Sequence, residues 1–139
     1  MILHAGLIAC RIGGGWGGVL IEGPSGAGKS DLALRALDDG FRLVADDRTV
    51  VWESGGRLYG RAPETLAGLL EVRGVGIVAQ SALPFARIVL AAVCTPPERH
   101  PDPAARELCG LRVPLVEFAP LENSATAKLR RALEHLGGS

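Results

Sequence analysis

The spacing of apolar and polar positions along the chain predicts several short strands and two helices. Apolar runs of strand length, bounded by glycine, proline or acidic residues, indicate the strands. The predicted strands are Leu7–Ile12, Val19–Glu22, Phe41–Ala45, Thr49–Glu53, Arg57–Gly60, Ile88–Val93 and Val113–Phe118. Apolar residues three and four positions apart predict helices over Ser30–Asp39 and Ala125–Leu136. This order of elements predicts an α/β fold built on a mixed sheet.

Two segments between these elements lack a clear period. Ala67–Val72 is predicted to form a short helix or turn, and the proline-rich, charged segment Thr95–Ala105 is predicted to be an exposed, mobile loop. No internal repeat and no long linker divides the chain. We therefore expect one domain over residues 1–139, with its sheet covered mainly on one side.

Composition and charge narrow the classes of function. With 139 residues, 47% of them hydrophobic and 22% charged, the chain has an ordinary globular composition. Lys and Arg (15) balance Asp and Glu (15), so no basic surface for nucleic acid is expected. No apolar run reaches the ~18 residues of a membrane span, and the first residues lack the pattern of a signal peptide. We expect a cytoplasmic protein that binds neither membrane nor nucleic acid.

The cysteines and the first glycine cluster suggest structural roles. Cys10, Cys94 and Cys109 are odd in number and lack metal-ligand spacing, so they are interpreted as small buried residues in a reducing compartment. Gly13–Gly18 joins the first two predicted strands and indicates a hairpin turn, because glycine adopts positive φ without strain. Trp16 within it is predicted to be a partly buried turn aromatic.

A second glycine-containing segment fits the phosphate-loop pattern G-x-x-x-x-G-K-[ST] at every position. Its residues are Gly23, Pro24, Ser25, Gly26, Ala27, Gly28, Lys29 and Ser30. It follows a predicted strand and opens a predicted helix, so backbone N–H groups and the helix dipole would favour an anion there. Lys29 is expected to reach the β- and γ-phosphates of a bound nucleotide, and Ser30 to offer its hydroxyl to Mg²⁺.

Two further clusters contain acidic residues. Asp46 and Asp47 end a predicted strand, and at the same sheet edge as the phosphate loop they could bind Mg²⁺ or accept a proton. Solvated turn acids are the alternative. In Glu71–Ile77, Glu71 could face a metal and Arg73 a phosphate, whereas an exposed ion pair before a glycine turn would explain the pattern equally well.

Together these segments resemble the catalytic domain of HPr kinase/phosphorylase, a bacterial family that phosphorylates a serine of the phosphocarrier protein HPr. The resemblance is carried by His4-Ala5, Gly23–Ser30, Leu43–Asp47 and Leu70–Ile77. It extends over nearly the whole chain and is strongest from Gly18 to Ile77. It implies the α/β fold of that domain, in the short form found in some proteobacteria.

The resemblance also implies roles for individual residues. Lys29 would bind phosphate, and Ser30 with Glu71 would hold Mg²⁺. Asp47 would accept the serine proton in the kinase direction and donate it in the reverse direction. His4 would lie beside the transferred phosphoryl group.

The family also uses an arginine from a mobile loop, for which Arg99 is the aligned candidate and Arg106 its rival. Long family members use an arginine- and glycine-containing segment for dephosphorylation, and no such segment is recognisable near Ala119–Ser124. The kinase direction is therefore expected to dominate.

The leading interpretation is an ATP- and Mg²⁺-dependent protein-serine kinase that acts on an HPr-type carrier. The family resemblance favours a homo-oligomer, a hexamer above all. A small-molecule phosphate-loop kinase, or a nucleotide-sensing module without transfer activity, are the alternatives. Asp47 argues against the sensing module, because nucleotide binding alone needs no base.

Overall fold

The computed structural model describes residues 1–24, 26, 28–94, 104–120 and 122–137. The strands are β1 Ile2–Leu3, β2 Gly6–Ile12, β3 Gly15–Glu22, β4 Arg42–Ala45, β5 Thr49–Ser54, β6 Arg57–Arg61, β7 Leu69–Val72, β8 Gly76–Ala79, β9 Ala86–Cys94, β10 Ala104–Leu108 and β11 Leu111–Phe118. The helices are α1 Lys29–Leu37 and α2 Ala125–Leu136, and Glu64–Leu66 forms a 3₁₀ turn. Neither α-helix of the described ranges has the length and apolarity needed to cross a membrane.

One mixed sheet forms the body of the fold. Its strand order is β1-β5-β6-β9-β3-β2-β4, and β11, with β10 beyond it, pairs with the C-terminal half of β9. Strands β3 and β4 both pair antiparallel with β2, so they run in the same direction with β2 between them. Strands β7 and β8 form a separate two-stranded sheet. The predicted α/β fold is confirmed.

Both faces of the main sheet are buried, but by different partners. On one face, Ile8, Val19 and Leu90 pack against residues of α1 and α2 such as Leu32 and Leu129. On the other face, the two ends of the curled sheet share a core. That core contains Leu7, Leu20, Val44, Val51, Leu58 and Ile88. The expectation of a sheet covered mainly on one side is thus wrong, because the sheet's own outer strands cover the face that lacks helices.

Tight turns account for the local pairing. Ile12 pairs with Gly15, so the β2–β3 hairpin turns at Gly13-Gly14 and the later glycines of that cluster belong to β3. Gly55 and Gly56 have φ of 58° and 79°, which fit the positive-φ turn of the predicted β5–β6 hairpin. Trp16 is half-buried as predicted, but it lies in β3 rather than in the turn.

Several predictions from local pattern are wrong. Most of Ala67–Val72 forms β7 rather than a helix or turn, since cross-strand pairing with β8 overrides the short apolar run. Residues 95–103 of the predicted loop lie outside the described part, but Ala104 and Ala105 belong to β10, which pattern did not predict. Cys109 is exposed in the β10–β11 turn with φ of 51°, whereas Cys10 and Cys94 are buried as predicted.

Candidate active site

The elements that bear the predicted site residues meet at one edge of the main sheet. Strand β3 ends at Glu22 and β4 ends at Ala45, while β2 begins at Gly6. Gly6 pairs with Ile21, and Leu7 pairs with Ala45, so the three strand ends are adjacent. This register places the segment after β3, the acids after β4 and the residues before β2 side by side.

The Gly23–Ser30 loop turns from β3 into α1 through unusual backbone conformations. Gly23, Gly26 and Gly28 have φ of 150°, 81° and 99°, values that L side chains rarely adopt. A Cβ atom at Gly23 would lie 3.1 Å from the Cβ of Cys94, so the loop also starts in a tight space. Ser25 and Ala27 lie outside the described residues.

Lys29 and Ser30 begin helix α1 and point to different partners. Nζ of Lys29 donates hydrogen bonds to the carbonyl oxygens of Gly23 (2.7 Å) and Pro24 (3.1 Å). Oγ of Ser30 donates to Oδ1 of Asp46 at 2.8 Å. The ammonium group of Lys29 is therefore held over the loop, and the hydroxyl of Ser30 faces the acid pair.

Asp46 connects two parts of the site. Besides accepting from Ser30, its second oxygen accepts a hydrogen bond from the backbone N–H of Glu71 at 2.9 Å. One carboxylate thus fixes the start of α1 relative to β7. Sequence pattern placed Asp46 at the correct edge but did not show this contact, because Glu71 lies 25 residues further along the chain.

Asp47 has a strained backbone and two cationic or polar neighbours. Its φ of 67° lies in the left-handed region, which is uncommon for a non-glycine residue. Nε2 of His4 lies 2.8 Å from Oδ1 of Asp47, and Nη1 of Arg48 donates to Oδ2 at 3.0 Å. His4 and Asp47, 43 residues apart in sequence, form an exposed pair at the mouth of the site.

A cleft of about 500 Å³ unites these groups. Its lining includes His4, Gly26, Gly28, Lys29, Ser30, Asp31, Leu34, Asp47, Glu71, Val72 and Arg73. The side chains of Glu71 and Arg73 come from the β7–β8 hairpin, which forms one wall. The structure therefore brings His4, Asp47, Glu71 and Arg73 together with Gly26 and Gly28–Ser30 in one cleft, whereas Gly23, Pro24 and Asp46 lie outside its lining and contact Lys29 or Ser30.

The two candidate arginines have different outcomes. Arg99 lies outside the described residues. Nε of Arg106, on β10, donates to both carboxylate oxygens of Glu22 at 3.0 and 3.2 Å. Arg106 does not line the cleft, so its observed contact is an ion pair at the end of β3.

The segment around Ala119–Ser124 contacts α1 through Arg35. Arg35 donates from its guanidinium group to the carbonyl oxygens of Pro120 and Glu122. The carboxylate of Glu122 accepts from Nζ of Lys128 at 2.7 Å. None of these residues lines the cleft.

Cys94 lies directly behind the start of the loop. It is 3% exposed, and burial raises the pKa of its thiol to about 11, against smaller opposing effects of Lys29 and Arg35. The thiol is therefore neutral at physiological pH, and it contributes to packing rather than to the chemistry of the cleft.

Comparisons with known sequences and structures identify the family of this chain. The family model of the HPr serine kinase C-terminal domain matches residues 4–87, more than half of the chain. An HPr kinase/phosphorylase of Clostridium perfringens is 53% identical over 66 residues, which are 48% of this chain and 22% of the relative. One from Brevibacillus brevis is 55% identical over 62 residues, which are 44% of this chain and 20% of the relative. The chain thus matches about a fifth of the length of these curated relatives.

A solved structure supports the fold over a longer range. The HPr(Ser) kinase/phosphatase of Coxiella burnetii superposes with a TM-score of 0.79, covering 96% of this chain and 87% of that chain at 23% identity. At that identity the likeness concerns the fold alone. Because the family model matches most of the segment that builds the cleft, the chain belongs to the family of HPr serine kinase C-terminal domains.

Proposed function

We propose that this chain is the catalytic domain of an ATP- and Mg²⁺-dependent protein-serine kinase that phosphorylates an HPr-type phosphocarrier. The observation that carries the proposal is the convergence of Lys29, Ser30, Asp47 and Glu71 on one cleft, in a chain of this family. Phosphoryl transfer depends on positioning and charge stabilisation, for which these groups are suited.

The Gly23–Ser30 loop is the proposed binding site for the phosphates of ATP. The loop precedes the N-terminus of α1, where unpaired N–H groups and the helix dipole attract anions. Nζ of Lys29 already lies above the loop, on the carbonyl oxygens of Gly23 and Pro24. Phosphate oxygens would take the place of these two acceptors and form charge-assisted hydrogen bonds with the ammonium group.

The donor set of the cleft fits Mg²⁺. This ion prefers oxygen ligands and is commonly bound through one or two carboxylates together with substrate phosphates. Ser30 and Glu71 would hold it, and Asp46 would orient both through its two hydrogen bonds. Over the described ranges no group of three or more His, Cys, Asp or Glu could hold a metal ion. When bound, Mg²⁺ would neutralise charge on the phosphates.

Asp47 is the proposed base for the serine hydroxyl. Its carboxylate accepts the hydroxyl proton as the serine oxygen forms a bond to the γ-phosphorus, and the bond from that phosphorus to the bridging oxygen of ADP breaks. His4 and Arg48 hold the carboxylate in place. The module that only senses nucleotide is less well supported, because it leaves this pair without a task.

The exposed edge of the cleft suits a protein substrate better than a small molecule. Val75 and Ile77 on the β7–β8 hairpin are each 72% exposed. Ile77 is the cross-strand partner of Glu71, so an apolar side chain lies next to a residue of the cleft on the same face of the hairpin. An incoming protein surface would cover these apolar groups as it delivers its serine.

The test is transfer of labelled phosphate from ATP to a panel of HPr-type carriers, with carriers whose acceptor serine is replaced by alanine as the matched control. Label on the carriers and none on the alanine controls is the expected result. Label only on small hydroxyl compounds would favour the small-molecule kinase. ATP binding without any transfer would favour the sensing module.

The kinase direction is proposed to dominate over phosphorolysis. Inorganic phosphate, as the attacking group, needs additional cationic donors in the cleft. The segment Ala119–Ser124 provides none, because its sequence contains no Lys, Arg or His and its one charged residue, Glu122, is an acid paired with Lys128. Pyrophosphate release from phosphoserine carrier at a rate comparable to forward transfer would contradict this proposal.

Assembly into a homo-oligomer, with a hexamer favoured by family resemblance, completes the proposal. A single domain of 14.5 kDa has little surface with which to bind a protein substrate. Light scattering of the purified chain at assay concentration tests it, and a stable monomer would contradict it.

A further inference from the structure

A second cleft, of about 360 Å³, lies at the opposite end of β3 from the Gly23–Ser30 loop. It opens beside the β2–β3 turn and is bordered by β6, β9 and the end of α2. From Gly17 in this cleft to Gly23 the strand extends by about 20 Å, at roughly 3.3 Å per residue. Of the residues that the structure describes, none lines both clefts.

The charged side chains that line this second cleft are arginines. Arg57 and Arg87 line it, and none of the described residues in its lining is acidic. Arg87 is the cross-strand partner of Tyr59, and Arg57 lies two residues before Tyr59 on β6, so the three side chains share one face of the sheet. Within the described part of the chain neither arginine has a hydrogen-bond or ion-pair partner for its guanidinium group.

The remaining walls of the second cleft are aromatic and apolar. Tyr59 and Trp16 line it, together with Ile12 and Val89. Gly17 lies between Ile12 and Val89. A Cβ atom at Gly17 would come within 2.3 Å of Cδ1 of Ile12 and 3.2 Å of Cγ2 of Val89. The glycine therefore lets these apolar side chains close the floor, and the two arginines remain at the rim.

The surroundings add further positive charge. The guanidinium groups of Arg11 and Arg42 lie 5.6 and 5.9 Å from the ring centroid of Trp16. In a chain of zero formal net charge, four arginines near one end of the sheet form a local positive region. Such a region attracts anions, and guanidinium groups bind phosphate oxygens through paired hydrogen bonds.

We propose that this second cleft binds a small phosphate monoester with a flat apolar body, independently of the Gly23–Ser30 loop. The phosphate lies between Arg57 and Arg87, and the flat part lies against Tyr59 over the floor of Ile12 and Val89. A cleft with an apolar floor and a few convergent polar groups is the usual form of a small-molecule site.

The test titrates the isotope-labelled chain of 139 residues with phenyl phosphate and follows the backbone amide signals by NMR. We expect saturable shifts at Gly13–Gly17 and Tyr59, with a dissociation constant below about 1 mM. The same shifts should persist in Lys29→Ala, which disables the other phosphate site. Arg57→Gln and Arg87→Gln should each weaken binding at least tenfold, whereas Arg112→Gln, an exposed arginine elsewhere on β11, should leave it unchanged.

Two comparisons of ligands complete the test. Inorganic phosphate and benzoate should each bind at least tenfold more weakly than phenyl phosphate. Inorganic phosphate lacks the aromatic ring, and benzoate lacks the phosphate dianion. Shifts confined to Gly23–Ser30, equal affinity for the three compounds, or unchanged affinity in both Arg57→Gln and Arg87→Gln would overturn the proposal. Because Arg57 is exposed, its variant keeps the test decisive if Arg87→Gln does not fold.

Discussion

The two ends of β3 are both rich in glycine, yet the glycines serve different purposes. At the N-terminal end, Gly17 and Gly18 have ordinary backbone conformations and are required by space, because side chains and a backbone carbonyl press against them. At the C-terminal end, Gly26 and Gly28 have positive φ, and open space surrounds Gly26. The first cluster closes a packed hairpin, whereas the second shapes a loop at a helix N-terminus. Glycine content alone therefore indicates little about function, and the proposed phosphate site rests on the Lys29-Ser30 pair that follows the second cluster.

The largest expected effect is a loss of phosphoryl transfer without a loss of ATP binding in a variant of Asp47. Asp47→Asn should lower transfer to the carrier by about 10²–10⁴, because an amide cannot accept the serine proton. ATP affinity, measured by calorimetry, should remain unchanged. Asp46→Asn is the matched control, and single-turnover assays should show a smaller loss for it. If Asp46→Asn lost more transfer than Asp47→Asn, the base would have been assigned to the wrong acid.

A second variant tests whether the loop binds phosphate at all. Lys29→Ala removes a charge-assisted contact, which typically contributes about 1.5–3 kcal/mol. ATP affinity should therefore fall roughly 10- to 100-fold in calorimetry. Arg57→Gln, at the other end of β3, should leave ATP affinity unchanged. Equal ATP affinities for wild type and Lys29→Ala would contradict the assignment of the loop.

The sequence predicts the C-terminal end of β3 better than most other parts of the site. Strand, Gly23–Ser30 and helix are contiguous, so a local pattern predicts both the fold and the proposed phosphate site. His4, Asp47 and Glu71 come from distant segments: the strand pattern predicted that Asp47 lies at the sheet edge of the loop, whereas the grouping with His4 and Glu71 was implied by family resemblance. Asp46 shows the limit, since its bond to the backbone of Glu71 depends on how two separate sheets pack.

The same limit applies to the errors in the fold. Strand β7 contains a short apolar run that suits a helix or a strand equally well, and only pairing with β8 decides between them. Strand β10 lacks an apolar run, because four of its five residues are not buried. The arginines of the second cleft, Arg57 and Arg87, belong to different strands and become neighbours only through the β6–β9 pairing.

The glycines at the N-terminal end of β3 should differ in how much their replacement by alanine lowers the stability of the fold. A Cβ atom at Gly18 would lie 2.6 Å from the carbonyl oxygen of Arg87, and backbone cannot move aside easily. Gly18→Ala should lower the free energy of unfolding by about 1–3 kcal/mol. Gly14→Ala, with nothing within 4 Å of its Cβ position and no positive φ, should change it by less than about 0.5 kcal/mol. Denaturant unfolding of the two variants measures the difference, and equal values would mean that packing does not explain this cluster.

The smallest expected effect concerns the packing of Cys94 behind the Gly23–Ser30 loop. Burial raises the pKa of Cys94 from about 9 to about 11, so folding favours the neutral thiol. Its contribution to stability is complete below pH 9 and is lost as the pH rises through 11, because the unfolded chain releases this proton first. Between pH 8 and pH 10 the free energy of unfolding should fall by about 1 kcal/mol more in wild type than in Cys94→Ala. Cys109→Ala, in which an exposed thiol is removed, should follow the wild-type slope. Parallel slopes for wild type and Cys94→Ala in alkaline denaturant titrations would show that this thiol ionises as easily in the folded chain as in the unfolded one.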